Sequence, residues 1–125
     1  MNATLLVMAG GAIGAAARYH LGRLVFLLGG MGFPYGTLLV NVSGGYLMGI
    51  LVAVLARSDF IDEPWRLLLG VGLLGGFTTF STFSLEVYNM IERSEWGAAT
   101  GYALLSVIGS VLALVAGLMT VRTLA

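Results

Sequence analysis

Cysteine is absent from the 125-residue sequence, and charged residues make up only 10% of it. Without cysteine, the chain has no disulfide framework, no thiolate metal site and no cysteine nucleophile. A soluble domain carries about 25% charged residues, and a small one needs polar side chains to cover its large relative surface. Six basic and six acidic side chains cannot do this in a chain that is 58% apolar. The composition therefore excludes a soluble globular domain and indicates an integral membrane protein.

A net charge and the usual catalytic motifs are missing as well. The formal net charge is zero, which argues against a nucleic-acid-binding protein or a basic membrane-surface peptide. The sequence has no Ser/His/acid set, no cluster of histidines and carboxylates and no phosphate-binding loop. We therefore expect no nucleic-acid partner and no enzymatic activity.

Four apolar segments reach the roughly 20 residues that a helix needs to cross a hydrocarbon core of about 30 Å. They cover about residues 4–28, 36–56, 66–91 and 97–121, and short connections join them. We interpret the first segment as a retained span and not as a signal peptide, because no positive charge precedes its apolar run. The prediction is one all-α membrane domain of four transmembrane helices over residues 1–125.

Basic residues are nearly balanced between the two sides of the predicted bundle. Arg57, Arg66 and Arg122 lie on the side of both termini, and Arg23 and Arg93 lie on the other side. Topology normally follows a clear Lys/Arg excess in cytoplasmic loops. The near balance is compatible with insertion in both orientations, and so with an antiparallel dimer. It is equally compatible with a single orientation that is fixed by weak signals.

Glycine is abundant, with 19 residues. Small residues let membrane helices approach closely where the hydrophobic effect no longer drives association. Gly10 and Gly14 form one GxxxG pair and Gly45 and Gly49 form another, so we expect these pairs to pack helices. Four helices alone make a thin bundle with little room for a lined pore, and an oligomer is therefore expected.

The third span has the most unusual sequence, GLLGGFTTFSTFSLEVY at residues 72–88. Each glycine of its Gly75-Gly76 pair weakens a helix by about 1 kcal/mol relative to alanine. Hydroxyl residues interleaved with phenylalanines follow the pair. Irregular backbone at this depth is tolerated only where it is buried in protein or lines a wet cavity. We predict a helix broken near mid-membrane, where the glycine pair weakens it. The alternative is a continuous helix whose hydroxyls bond back to the preceding turn.

Phe80, Phe83 and Asn41 are candidates for an anion path. Phe80 and Phe83 lie three residues apart and share a helix face. Aromatic ring edges carry partial positive charge and can meet an anion, although an aromatic stripe is usually packing. Asn41, with Thr37 one turn before it, is either a donor to an anion or an interhelical hydrogen-bond partner.

A stripe of hydroxyls in the fourth span and two charges complete the candidates. Tyr102, Ser106 and Ser110 recur every four residues and form either interhelical contacts or one wall of a polar track. Arg18 costs at least about 2.5 kcal/mol at a membrane centre and needs a partner. Glu86 lies about 12 Å along the helix from Thr78 and so near a membrane interface. No span has an acid at its centre, which argues against a proton-coupled exporter of cationic drugs.

Three motifs resemble those of the Fluc (CrcB) fluoride channels: GGAIGAAARY at 10–19, GTLLVNVSGG at 36–45 and, most specifically, GGFTTFSTFS at 75–84. The resemblance covers essentially the whole chain. It implies an antiparallel, dual-topology homodimer with two pores in the bacterial inner membrane, each pore combining rings from both subunits. Fluoride would leave the cytoplasm passively through these pores, which relieves its toxicity.

The resemblance also implies roles for individual residues. Asn41 would coordinate fluoride, and Phe80 and Phe83 would be the pore-facing rings. The backbone carbonyls of Gly75 and Thr78 from each subunit would hold a structural Na⁺ that is not transported. The polar track would consist of Ser81, Thr82, Tyr102, Ser106 and Ser110, and the vestibule would contain Arg18, Thr37 and Glu86.

Two other function classes are compatible with four short spans. A small dual-topology secondary transporter shares the plan, but it would be expected to carry a titratable residue at mid-membrane. A non-conducting helical subunit of a larger complex would explain the glycines, but it leaves the alternation of hydroxyls and phenylalanines without a purpose.

Overall fold

The computed structural model describes residues 2–29, 32–58 and 63–124. Every regular element within these ranges is helical, which confirms the all-α prediction. The elements in chain order are α1 (Ala3–Gly29), α2 (Tyr35–Arg57), α3 (Glu63–Trp65), a π-helical segment (Arg66–Leu74), α4 (Gly75–Phe77), α5 (Phe80–Glu92) and α6 (Trp96–Leu124).

Three helical stretches among the described residues are long and apolar enough to cross a membrane. They are Tyr35–Arg57, Glu63–Glu92 and Trp96–Leu124, so the chain is a multi-pass membrane protein. The 27 residues of α1 give a length of about 40 Å at 1.5 Å per residue. Its second half contains Arg18 and Arg23, and α1 is not among these three stretches. The crossing of the membrane by α1 stays a prediction.

Glycines bring the helix backbones into direct contact in two places. α2 packs along α6, and α1 packs along the π-helical segment and α4. A Cβ atom on Gly14 would lie 2.9 Å from the backbone nitrogen of Phe77. A Cβ atom on Gly49 would lie 3.0 Å from the backbone nitrogen of Leu118. Real Cβ atoms do not tolerate such distances, so the packing role predicted for the GxxxG pairs is confirmed.

The helix interruption lies at Thr78 and Thr79. These residues have extended backbones, with φ −83° and ψ 157° at Thr78 and φ −149° and ψ 122° at Thr79. The predicted break is therefore present, but its placement from Gly75 onward is wrong because Gly75 is helical, with φ −62° and ψ −39°. Gly76 instead serves packing, since a Cβ atom there would lie 2.7 Å from the Gly11 carbonyl oxygen.

The outer surface is strongly apolar, and the buried core is small. Large side chains such as Leu28, Leu112 and Leu124 are exposed. The main buried cluster contains Phe83, Met90, Ala99 and Tyr102, between α5 and α6. Exposed leucines suit a surface that faces lipid, because lipid tails are as apolar as leucine.

Candidate functional site

The side chain of Asn41 on α2 holds the extended backbone of Thr79 through two hydrogen bonds. The Asn41 Nδ2 atom donates to the Thr79 carbonyl oxygen at 2.9 Å. The Thr79 backbone N–H donates to Asn41 Oδ1 at 2.7 Å. The Thr79 N–H, which has no helical partner at the break, is thereby satisfied, as a membrane interior requires, and the N-cap carbonyl gains a side-chain donor. One hydrogen of the Asn41 amide is left over from this pairing, because the NH₂ group carries two donors.

Threonine hydroxyls finish the helix ends on each side of the break. The Thr78 N–H and the Thr78 hydroxyl both donate to the Leu74 carbonyl oxygen, each at 3.0 Å. On the other side, Thr79 is the N-cap of α5, and its hydroxyl accepts from the Thr82 N–H at 3.3 Å. Threonine is a preferred N-cap residue for this reason. The Thr79 hydroxyl also donates to Thr82 Oγ1 at 3.2 Å and lies 3.5 Å from Ser81 Oγ.

These bonds release two backbone carbonyls from the helix ladder. In a regular helix the Gly75 carbonyl accepts from the Thr79 N–H, but that N–H donates to Asn41. The Thr78 carbonyl would likewise accept from the Thr82 N–H, which donates to the Thr79 hydroxyl instead. Unwound carbonyls and helix C-terminal ends are suitable ligands for Na⁺ in membrane proteins. The chemistry of the pair of oxygens predicted to hold Na⁺ therefore fits that ion.

Acidic, histidine and cysteine side chains do not cluster around a possible cation site in the part of the chain that the structure describes. No group of three or more His, Cys, Asp or Glu side chains comes together there. A bound cation in this region would therefore depend on neutral oxygens, and the carbonyls beside the break are suited to that task.

A groove of about 440 Å³ opens beside the break, between α2 and α6. None of its lining residues, all within the described ranges, is charged. Six of the residues singled out from the sequence line it: Asn41, Thr78, Phe80, Phe83, Ser106 and Ser110. The structure therefore brings the candidate amide, both candidate rings and two of the three α6 candidates to one surface.

The two phenylalanines of the groove differ in burial. Their ring centroids are 5.4 Å apart, with a tilt of 45°. Phe80 is 75% exposed, whereas Phe83 is only 8% exposed. Phe83 packs on the Tyr102 ring at 5.1 Å. Phe83 therefore belongs to the core as well as to the groove, whereas the Phe80 side chain is exposed on the surface of the single chain.

Ser106 carries a buried hydroxyl that lacks a hydrogen bond. The residue is 6% exposed, and its Oγ atom has no hydrogen-bond partner among the described residues. The Tyr102 hydroxyl is close enough to interact with Ser106 electrostatically, but the two do not reach acceptable hydrogen-bond geometry. A buried polar group without a partner costs about 1–3 kcal/mol. Ser106 lines the groove, but its oxygen is itself buried in the wall, so the fold leaves this polar group unused.

The predicted vestibule residues occupy two different places. Glu86 accepts from the Tyr102 hydroxyl at 3.4 Å and interacts with the Thr37 side chain. Thr37 and Glu86 line a second cavity of about 170 Å³. Arg18 is not part of this cluster, because its Nε atom donates to the Gly76 carbonyl oxygen at 3.2 Å, just before the break. That contact gives the arginine the carbonyl partner it needs at this depth.

Three other predicted polar-track residues stand apart from the groove. Ser81 and Thr82 join the hydroxyl cluster at the start of α5, and Tyr102 is completely buried. The sequence-based reasoning missed Thr79 and Gly44, which contact Asn41 and Thr78 respectively. For Thr79 a signal existed, because a threonine that precedes a helical stretch is a typical N-cap.

An interrupted membrane helix beside a groove of uncharged donors is typical of membrane proteins that bind or conduct ions. The chain belongs to the CrcB family. The family described as CrcB-like protein, Camphor Resistance (CrcB) matches residues 5–118.

Several curated relatives match the chain over nearly its full length. A protein of Phenylobacterium zucineum, named Fluoride-specific ion channel FluC, is 57% identical over 123 residues, which is 98% of this chain and 97% of the relative. A Caulobacter vibrioides protein of the same name is 52% identical with the same coverage. A third protein of that name, from Sphingopyxis alaskensis, is 47% identical over 99% of this chain and 98% of its own length. The relatives are named as channels and not as enzymes, so the prediction of no enzymatic activity is confirmed.

Proposed function

We propose that this chain forms a fluoride-selective passive ion channel through which fluoride leaves the cytoplasm. The observation that carries the proposal is the groove beside the break, which offers amide and hydroxyl donors and aromatic ring edges and has no charged lining residue. The relatives named as fluoride-specific channels support the same function. Fluoride is small and strongly hydrated, so a pore must replace its water with donors of this kind.

The groove lining contains residues with donor groups and two aromatic rings that could replace the water of fluoride. Asn41 has one amide hydrogen left after its bond to Thr79. Ser106 has a buried hydroxyl without a hydrogen-bond partner in the described ranges, and Ser110 lines the groove one turn further along α6. Phe80 and Phe83 offer ring edges between them. Fluoride would exchange its water for these groups, and chloride would be rejected by pore width and donor geometry.

A second copy of the chain in inverted orientation would complete the pore. Phe80 is 75% exposed and lines a groove that is open on one side, so a partner surface is needed to enclose an ion there. The balanced arginines permit insertion in both orientations. The dimer would contain two pores, with rings from both copies in each pore and with α1 as the fourth span of each copy.

The carbonyls of Gly75 and Thr78 would hold one structural Na⁺ at the dimer centre, two oxygens from each copy. Both carbonyls have lost their helical donors to Asn41 and Thr79. A bound Na⁺ supplies a fixed positive charge that favours anions nearby. The Arg18 guanidinium, which rests on the neighbouring Gly76 carbonyl, adds positive potential on the same side.

The channel would lie in the bacterial inner membrane, surrounded by lipid on its exposed leucine-rich faces. Fluoride that enters a cell as HF dissociates in the cytoplasm, and a passive path lets the anion leave down its gradient. The activity would relieve fluoride toxicity without an energy source.

The test against a proton-coupled transporter is fluoride efflux from liposomes under different proton gradients. The liposomes contain only the purified protein, and a fluoride electrode records the efflux while a K⁺ ionophore removes the membrane potential. A channel gives the same rate with and without a proton gradient at neutral pH. Efflux that requires an imposed proton gradient would contradict the proposal and favour the transporter.

The absence of cysteine makes a direct test of dual topology possible. Glu92→Cys places a single thiol at the exposed last residue of α5, and Asn2→Cys places one on the opposite side of the predicted bundle. A membrane-impermeant maleimide should label about half of each variant in intact cells if insertion occurs both ways. Labelling of one variant in full and of the other not at all would establish a single orientation.

A further inference from the structure

Gly44 on α2 lies against the break. A Cβ atom at Gly44 would collide with the Cγ2 methyl of Thr78 and would lie 3.4 Å from the Phe77 ring. Gly44 is buried, and both Gly44 and Thr78 line the groove. Thr78 can therefore approach α2 so closely only because Gly44 has no side chain.

Gly44 differs from the other glycines of α2 in what it faces. A Cβ atom on Gly45 would lie 2.7 Å from the Ser110 carbonyl oxygen, and Gly49 faces the backbone of α6 near Leu118. Those two residues bring helices together. Gly44 instead faces a side chain of the extended residue that interrupts the helix.

Asn41 and Gly44 act on consecutive residues of the break. They are three positions apart and so share one face of α2. Asn41 fixes the backbone of Thr79 through two hydrogen bonds, and Gly44 leaves the space for the methyl of Thr78. The Thr78 hydroxyl is anchored from the other side, on the Leu74 carbonyl oxygen at 3.0 Å.

We infer that Gly44 is a positioning residue, which sets the direction of the Thr78 carbonyl and thereby the affinity of the cation site. The inference rests on the proposed function, because it assumes that this carbonyl holds Na⁺. Turning the Thr78 side chain away from a methyl group at position 44 would break its hydroxyl bond to the Leu74 carbonyl, so we expect the whole residue to shift instead. The carbonyl oxygen of Thr78 moves with the residue and no longer points at the cation, which weakens the binding of Na⁺.

The experiment is a Na⁺ titration of thermal unfolding, with the purified protein in detergent and a large organic cation as the replacement ion. The wild type should unfold at higher temperature as Na⁺ is added. Gly44→Ala should require about tenfold more Na⁺, or still more, for the same shift, which corresponds to a loss of about 1.4 kcal/mol of binding free energy or more. The control is Gly101→Ala, because nothing lies within 4 Å of a Cβ atom at Gly101.

Rescue separates positioning from ordinary packing. Thr78→Ser removes the methyl that the new Cβ would meet and keeps the hydroxyl that bonds to Leu74. Gly44→Ala combined with Thr78→Ser should therefore recover the Na⁺ dependence of the wild type. If Gly44→Ala alone yields no folded protein, recovery of folded, Na⁺-stabilised protein in the double variant supports the inference, and its failure overturns it.

The remaining outcomes distinguish the inference from the function on which it rests. A Na⁺-stabilised wild type with an unchanged Gly44→Ala variant overturns the inference alone. A Na⁺ response that is lost in Gly44→Ala and not restored by Thr78→Ser also overturns it. A wild type that shows no response to Na⁺ overturns both the inference and the cation part of the proposed function, while fluoride efflux remains a separate test of the channel.

Discussion

The two parts of the interrupted helix are held in different ways. The part before the break, residues 63–77, lies against α1 with almost no side chains between the backbones, at Gly10, Gly14 and Gly76. The part after the break, α5, contacts α6 through side chains, with Phe83 on the Tyr102 ring and the Tyr102 hydroxyl on Glu86. The contact with α1 leaves no space between the backbones, whereas the side-chain contacts of α5 leave a groove beside them.

This difference separates support from conduction. Close backbone contact at Gly10, Gly14 and Gly76 leaves no room for an ion between α1 and this part, because a Cβ atom alone would collide there. Side-chain contact around α5 leaves hydroxyls and ring edges exposed to a cavity of about 440 Å³. Substitutions in the first part should therefore change folding, and substitutions around the second should change ion flux.

The largest effect is expected from Gly14→Leu. A side chain at this position enters the backbone of the π-helical segment, and overpacking of this kind costs about 3 kcal/mol. The yield of folded protein after purification should fall to near zero. Gly11→Ala is the matched control, since its Cβ atom would meet only the Gly72 carbonyl oxygen at 3.9 Å. A folded Gly14→Leu protein would contradict the tight contact with α1.

The next largest effect is expected from Asn41→Asp. The carboxylate still accepts from the Thr79 N–H, but it cannot donate to the Thr79 carbonyl, and it places a negative charge in the anion path. Fluoride efflux from liposomes should fall by about tenfold or more, because about 1.4 kcal/mol of repulsion suffices for that factor. Asn2→Asp adds the same charge away from the groove and should leave the flux unchanged. Wild-type flux in Asn41→Asp would remove this residue from the path.

Phe80→Ile and Phe83→Ile should separate flux from stability. Phe80 is mostly exposed in the single chain, so its replacement should greatly reduce fluoride efflux while the folded protein and its oligomeric state persist. Phe83 packs on Tyr102, and its replacement should also lower the unfolding temperature, at a cost of about 1 kcal/mol. Equal loss of stability in both variants would contradict the different placement of the two rings.

The smallest change in stability is expected from Ser106→Ala. The substitution removes a buried hydroxyl that has no hydrogen-bond partner in the described part of the chain, so thermal stability should stay the same or rise by up to about 1 kcal/mol. Fluoride efflux should nevertheless fall, because a donor is lost from the groove. A clear loss of stability with unchanged flux would assign this hydroxyl to packing instead.

The sequence predicted the helical class, the membrane-spanning stretches of α2, residues 63–92 and α6, and six residues that meet in the groove. These features depend on hydropathy and on local motifs. The break includes Thr78, as expected, but not Gly75, because glycine propensity reports only how weak a helix is. The break forms where partners exist, and its main partner is Asn41, 38 residues away from Thr79.

The π-helical segment and the hydrogen-bond partner of Arg18 could not be predicted from local sequence patterns either. The segment Arg66–Leu74 packs along α1, and its own residues carry no marker of π-helical geometry. Arg18 bonds to Gly76 across 58 residues. This partner depends on the tertiary packing of α1 against α4, which a local sequence pattern does not contain.

The most direct measurement of the central claim is paired fluoride and chloride efflux from liposomes that contain only this protein, with a K⁺ ionophore added to start the flux. The account predicts rapid fluoride efflux that depends on the ionophore, because the anion crosses as a charge, and little or no chloride efflux. No fluoride efflux, or an equal flux of chloride, would contradict it.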